Sequence, residues 1–241
     1  MARPLAATKP MNDSSKNCIL FFVKNPVRGG VKRRLAEEVG DTVAVGLYKN
    51  FIVDMLRTLS TCAATPLLIC VYPHSALGSL RKWLGMRYHY LPQEGKDLGE
   101  RMKNSFIKAF SMEYERVILI GSDIPDLPRA VIAEAFKALE TNEITVGPAR
   151  DGGYYLIGFR DKTFVSDVFD NIRWGGKQVL KTTLHRVEKI GCSVHLLPAW
   201  SDVDMLADVM ALLQRNRSGK CTCLKTILYL KKSAIGAASA R

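Results

Sequence analysis

The chain has 241 residues, 47% of them hydrophobic and 24% charged, with a formal net charge of +12. That length and balance are ordinary for one soluble globular domain. The longest apolar run near the start, Ile19 to Val23, is too short to span a bilayer and no apolar signal core precedes it, so the expected location is cytoplasmic. The positive charge sits mostly at the ends: residues 1–17 carry +2, residues 215–241 carry +7, and everything between carries +3. A basic tail of this kind is more often a solvated terminus than a reader of bases, so no specific nucleic-acid partner is expected.

Taken in chain order, apolar runs that read as buried strands occur at Cys18–Val23, Leu67–Val71, Arg116–Ile120, Ile144–Val146, Tyr154–Ile157 and Cys192–Leu197. Helical patterns lie between most of them. Leu47, Phe51, Met55 and Leu59 recur every four residues within 44–59. Asp97 and Glu100 form a capping box ahead of Leu98, Met102, Phe106, Ala109 and Phe110. Pro128 opens a helix with Val131, Ile132, Ala135, Phe136 and Leu139 inward; a further helix is predicted from about Lys177 to Lys189, and a last one after Asp204. This alternation predicts an α/β fold, a three-layer α/β/α Rossmann-like sandwich on a mostly parallel mixed sheet. The expected organisation is a flexible extension at 1–17, a catalytic domain at 18–214 and a basic tail at 215–241 whose patch Ile227–Leu230 docks on the body or on a partner.

Chemistry concentrates at the ends of these strands. In Val117-Ile118-Leu119-Ile120-Gly121-Ser122-Asp123 a doubly buried strand runs into a turn that ends in a carboxylate, where open α/β sheets bind ligands. Asp123 can hold a divalent cation against phosphate oxygens or cap the helix near Pro128. The first strand feeds Lys24-Asn25-Pro26-Val27-Arg28-Gly29-Gly30-Val31-Lys32-Arg33-Arg34, five cations around a Gly-Gly turn. Such a loop can wrap phosphates, with backbone N–H groups reaching them through the glycines, or be a solvated basic loop. It matches neither a Walker loop nor a dinucleotide fingerprint. Asp151-Gly152-Gly153-Tyr154 places a carboxylate on a turn that suits a ligand or a tight hairpin equally. Asp202-Val203-Asp204, if extended, points two carboxylates the same way. The four histidines and six cysteines show no metal-site spacing, reduced thiols are expected, and no nucleophile elbow appears.

Together these motifs resemble a family of bacterial and archaeal proteins with a glycosyltransferase-A-type fold, catalogued as a domain of unknown function or provisionally as nucleotide-diphospho-sugar transferases, and related to phospholactate, molybdenum-cofactor and sugar-acid nucleotidylyltransferases. The resemblance covers roughly residues 18–214 and rests on Phe22–Pro26 through Lys32–Leu35, Gln93–Met102, Gly121–Pro125, Gly147–Leu156, Trp174–Gly176 and Asp202–Asp204. It implies that Lys24, Gly29, Gly30, Lys32 and Arg34 bind the donor's phosphates, with Lys32, Arg34 and Asp123 acting in catalysis. Gly95, Asp97, Gly99 and Arg101 would lie near the base. Asp123, Asp202 and Asp204 would hold Mg²⁺ or Mn²⁺, and Asp151, Gly152, Gly153, Tyr154 and Trp174 would face the acceptor. The chain departs from the family pattern at Arg33 and Gly176, where Thr or Ser is usual, and at Met205, which replaces a Thr. The implied function is metal-dependent glycosyl transfer from a nucleotide-diphospho-sugar to a small-molecule acceptor. The alternatives are nucleotidylyl transfer from a nucleoside triphosphate, favoured by the crowded basic loop, and a non-catalytic nucleotide- or RNA-binding module. A homo-oligomer through Ile227–Leu230 stays open.

Overall fold

Strand β1 (Asn17–Lys24) carries side chains that are buried on both faces, and this decides the architecture. Ile19, Phe21 and Val23 enter one core while Cys18, Leu20 and Phe22 enter another, so the sheet needs helices on both sides. The computed structural model describes residues 16–62, 65–217 and 222–233. The remaining strands are β2 (Leu67–Tyr72), β3 (His89–Pro92), β4 (Arg116–Ile120), β5 (Ile144–Pro148), β6 (Tyr154–Arg160) and β7 (Val194–Leu196). They form one sheet in the order β3-β2-β1-β4-β6-β5-β7, in which only β6 runs against its neighbours. The expected mostly parallel mixed sheet is therefore the one observed.

The helices are α1 (Arg33–Val39), α2 (Asp41–Ser60), α3 (Leu77–Leu84), α4 (Leu98–Phe110), α5 (Arg129–Ala138), α6 (Val179–Lys189), α7 (Leu206–Arg215) and α8 (Leu224–Lys232). One layer buries Leu35, Phe51, Leu80, Ile132, Leu212 and Leu230 from α1, α2, α3, α5, α7 and α8. The opposite layer buries Met102 and Phe106 of α4 and Val187 of α6, with Phe159, Phe164 and Phe169 packed around Phe106. The capping box ahead of α4 is real but offset. Asp97 Oδ1 accepts from Glu100 N at 2.9 Å, whereas Glu100 Oε2 reaches Lys96 N rather than Asp97 N.

Among the elements not predicted are strand β3 and helix α3. Strand β3 is four residues at the sheet edge ending in Pro92, and α3 follows a short 3-10 turn (His74–Ala76) after Pro73, with Gly78 in its first turn. Both lack a run long enough to show a period. No helix among the described residues is long and apolar enough to cross a membrane. Residues 1–15 of the expected extension, and 218–221 and 234–241 of the expected tail, lie outside the described residues.

The rest of that tail docks on the body. Leu230 is fully buried, and the buried Asp54 of α2 accepts from Lys225 N at 3.0 Å and Thr226 N at 2.8 Å. The carboxylate thus satisfies two otherwise unmatched N–H groups in the first turn of α8. Replacing Asp54 with Ala should cost about 1–2 kcal/mol and release α8 first. Amide hydrogen exchange would then show protection lost across 224–232 while the sheet amides keep theirs; uniform loss would place the effect elsewhere.

Candidate active site

The chain leaves β1, moves outward to β2 and β3, then crosses back to place β4 on the other side of β1. The connections that leave the carboxyl ends of the parallel strands β1 and β4 therefore head toward opposite edges of the sheet and open a crevice, the place where sheets of this kind bind ligands. A cavity of about 610 Å³ occupies it. Its basic wall is Lys24, Gly29, Gly30, Lys32 and Arg33, its acidic end is Asp123 and Asp204, and its far wall is Gln93, Leu98, Arg101, Met102 and Tyr154.

The two carboxylates arrive from distant elements. Asp123 follows β4 directly, and no side chain caps α5, whose N-cap is Pro128, so the capping reading of Asp123 does not hold. Val203 is fully buried between the half-buried Asp202 and Asp204, and its N–H bonds to Asp123 O at 2.9 Å. The Asp-x-Asp segment is thereby laid beside the β4 turn. Nor does either of its acids cap α7: Asp208 Oδ2 accepts from Asp204 N and Met205 N, both at 2.9 Å.

Between the carboxylates stands Lys32. Its Nζ is 2.8 Å from Asp123 Oδ1 and 2.6 Å from Asp204 Oδ1, and its side chain is 3% exposed. The Phe51 ring lies 5.9 Å from the ammonium. Burial would lower the Lys32 pKa, yet the two adjacent carboxylates outweigh it and push it up, so the group stays charged. Asp204 is likewise held below the usual carboxylate range: burial acts upward, and Lys32 overrides it. Asp202 behaves oppositely. Burial, then the charges of Asp151 and Asp204, raise it well above that range. The backbone at Lys32 is left-handed (φ 48°), an uncommon state for a residue with a Cβ, held where α1 begins by Ala36 N bonding to Lys32 O at 2.8 Å.

The expected magnesium-type ion can be tested against this donor set. Asp123 and Asp204 are hard oxygen donors whose side chains remain 44% and 43% exposed. They fit an ion that takes one or two carboxylates and draws its other ligands from phosphate and water. Asp202 does not join them as a third donor: among the described residues no three His, Cys, Asp or Glu side chains converge on one point.

The glycine turn corrects another expectation. Gly29 N donates to Asp41 Oδ1 (3.2 Å) and Gly30 N to Val27 O (3.1 Å), so neither N–H is open to a phosphate. The glycines shape the turn (Gly29 φ +69°), and side-chain cations are what this loop offers. Arg33, the residue that departs from the family pattern, lines the cavity; Arg34 does not, although its charge lowers the Asp204 pKa.

Several other predicted residues support the walls instead of forming them. Asp97 is committed to capping α4. Gly95 (φ +145°) leaves less than 3 Å for a Cβ against Glu100 and Arg101, and a Cβ at Gly99 would meet the Trp174 ring at 2.6 Å. Trp174 therefore sits behind the far wall, edge-on to Tyr154 at 6.4 Å. Its buried Nε1–H has no hydrogen-bond partner among the described residues. The Asp151–Gly153 turn is the β5–β6 hairpin: Asp151 Oδ1 accepts from Gly153 N at 2.8 Å, and a Cβ on Gly152 would strike Lys177 O at 2.1 Å. Gly152 thus makes room for the segment leading to α6 and not for a ligand. Of the predicted acceptor residues only Tyr154 reaches the cavity.

Tyr48, Ser122, Gln93 and Tyr155 are cavity residues that were not singled out from the sequence. The Tyr48 hydroxyl bonds to Ser122 Oγ at 2.8 Å and accepts from Lys24 N at 3.0 Å, tying the β1 and β4 ends together. Burial raises the Tyr48 pKa, which keeps the phenol neutral. In sequence Tyr48 is one more large residue on the inward face of α2 and carries no separate signal. Gln93 could be found only through the quoted motif. Its amide nitrogen is engaged by Cys70 O at 2.8 Å and Val23 O at 3.4 Å, which leaves Oε1 as its remaining hydrogen-bonding atom. The Arg101 guanidinium lies 4.3 Å from the Tyr72 ring centroid.

No curated protein matches the chain. Among solved structures it is similar to a protein from Desulfovibrio desulfuricans G20 provisionally described as a nucleotide-diphospho-sugar transferase. The two share 40% identity over 93% of this chain and 94% of that one, with a TM-score of 0.83. It is also similar to CMP:2-keto-3-deoxy-manno-octonic acid synthetase complexed with CTP (9% identity, 84% and 98% of the two chains, TM-score 0.55). A third likeness is to 4-diphosphocytidyl-2C-methyl-D-erythritol synthase from Anaerococcus prevotii DSM 20548 (13% identity, 86% and 100%, TM-score 0.57). At the two lower identities the likeness shows the fold alone, which is that of nucleotide-diphospho-sugar transferases and cytidylyltransferases. The profile of the family DUF2064, described as uncharacterized protein conserved in bacteria, matches residues 55–176, and the chain belongs to that family.

Proposed function

We propose that the cavity is the donor site of a metal-dependent transferase that takes a nucleotide-activated substrate, with glycosyl transfer from a nucleotide-diphospho-sugar as the leading reaction. One observation carries this: Lys24 and Arg33 line a single cavity at the sheet's switch point with Asp123 and Asp204, which Lys32 bridges. That pairing of cations with two hard carboxylates suits a phosphate chain and the ion that accompanies it.

Asp123 and Asp204 would hold Mg²⁺ or Mn²⁺, which when bound neutralises charge on the donor's phosphates. Lys24 and Arg33 bind and orient those phosphates as fixed charges. The apolar stretch of the far wall, Leu98 and Met102 with Phe22 and Leu119, accommodates the base, and Arg101 and Gln93 Oε1 offer it donors and one acceptor. Tyr154 stands toward the acceptor. The relative at 40% identity supports the choice of a nucleotide-diphospho-sugar. Nucleotidylyl transfer from a nucleoside triphosphate is the second reading, favoured by the number of cations on the first loop and by the fold shared with a CTP-bound synthetase.

A thermal-shift panel of nucleoside triphosphates, diphosphates and nucleotide-diphospho-sugars, each with and without Mg²⁺, tests the reading. A ligand at about 100 times its Kd adds about 2.7 kcal/mol, which corresponds to roughly 5–10 °C for a chain of this size. The expected result is a Mg²⁺-dependent rise with one class of nucleotide that Asp123→Asn abolishes. A diphospho-sugar response selects glycosyl transfer and a triphosphate response selects nucleotidylyl transfer. No Mg²⁺-dependent rise with any of them would refute the proposal.

A further inference from the structure

Lys32 occupies the place where the two carboxylates would meet a cation of their own. Its ammonium touches one oxygen of each, at 2.8 and 2.6 Å, and its side chain is 3% exposed although both partners are more than two-fifths open. It cannot easily be pulled aside. The backbone that carries it is fixed where α1 begins, its ammonium stands over the Phe51 ring, and Tyr48 and Ser122, joined by a 2.8 Å hydrogen bond, line the same cavity.

The charge count has a consequence. Two carboxylates alone present −2, a strong site for a divalent ion; with a resident ammonium they present −1, and the ion must approach against a neighbouring positive charge. An ammonium has three N–H donors and no acceptor. One is spent on Asp204, Asp123 is held as an ion pair at 2.8 Å, and Lys32 lines the cavity, so a donor is available to a phosphate oxygen there. A polyphosphate taking that donor adds negative charge to the corner and supplies the oxygens that the carboxylate pair lacks.

We infer that Lys32 couples the two ligands: it closes the Asp123–Asp204 pair to a free divalent ion and opens it to the same ion arriving with a polyphosphate. The inference rests on the donor-site reading above. Because coupling is reciprocal, the ion must raise polyphosphate affinity by the factor by which polyphosphate raises ion affinity. Lys32 is then the residue that prevents the site from being occupied by metal alone.

The test measures Mn²⁺ binding by electron paramagnetic resonance, with and without inorganic tripolyphosphate, in the wild type, Lys32→Met and Lys32→Gln; circular dichroism checks folding of each variant. Wild type should bind bare Mn²⁺ at least tenfold more weakly than either variant, and tripolyphosphate should raise its Mn²⁺ affinity at least tenfold more than theirs. Asp204→Asn added to Lys32→Met should abolish the gained bare-Mn²⁺ site. Should Lys32→Met fold only when Mn²⁺ is present, its melting temperature would rise with Mn²⁺ while that of wild type does not, which supports the coupling equally. Equal bare-Mn²⁺ affinity in wild type and both variants, with Mn²⁺–tripolyphosphate still bound, overturns the coupling and spares the donor-site reading. Absence of Mn²⁺ binding in every protein and condition overturns both.

Discussion

The double variant Asp123→Ala/Asp204→Ala should lose about 3–5 kcal/mol of stability, whereas Lys32→Met should lose no more than about 1–2 kcal/mol. The asymmetry follows from exposure. Lys32 is nearly inaccessible while its partners are in place, so removing both carboxylates leaves a charge that can be rehydrated only from its cavity side. Removing Lys32 instead leaves two carboxylates that are 44% and 43% exposed and can recover hydration from the cavity. The triple variant Lys32→Met/Asp123→Ala/Asp204→Ala should regain most of the loss, because no buried charge remains without a partner. Urea unfolding of the four proteins measures this directly. If the triple variant is no more stable than the double, stranded charge is not the cause.

Asp126→Ala is expected to cost about 3 kcal/mol and to weaken Mg²⁺-dependent nucleotide binding at the same time. The Asp126 side chain is 3% exposed and accepts from Arg215 Nε (2.5 Å) and Nη2 (3.0 Å), from Trp200 Nε1 (3.1 Å) and from Asn216 Nδ2 (3.0 Å). Deleting it leaves a partly buried guanidinium and an indole N–H without their acceptor. Position matters as much as energy. Asp126 lies three residues beyond Asp123, while Arg215 and Asn216 end the helix that starts just after Asp204. The network is a clasp between the two segments that bring the carboxylates together. Arg215→Lys should give a smaller loss, since an ammonium cannot reproduce the two-pronged contact. Urea midpoints and nucleotide affinity, measured at a temperature where both proteins are folded, check both effects. A variant within about 0.5 kcal/mol of wild type would show that the clasp is dispensable.

What could be read in advance tracks how local each signal is. The central strands were legible because burial on both faces produces unbroken apolar runs such as Val117–Ile120. The helix after Pro128 was legible because its buried side chains repeat at helical spacing. Strand β3 escaped because an edge strand of four residues needs no apolar run, and α3 because eight residues are too few to establish a period. The same holds at the site. Asp123 was visible at the end of its strand, and Asp202-x-Asp204 as an isolated pair of acids. That Lys32 bridges Asp123 and Asp204, and that Tyr48 ties β1 to β4, depends on contacts between elements far apart in the chain. Nothing in the sequence around Gly29 and Gly30 states that their N–H groups are already taken by Asp41 and Val27.

The Lys32–Asp204 contact joins residues 172 positions apart. Closing so long a loop costs chain entropy that is recovered only when the intervening sheet is in place, so contacts of this separation form late in folding. A chain still emerging from the ribosome can complete β1 and the basic loop long before it has made α7. During that interval the cations face the crevice without their second carboxylate. The finished site is consequently a report on the whole domain: capture of Mn²⁺ with a polyphosphate during refolding should appear with the slowest native signal and not with the earlier formation of helices.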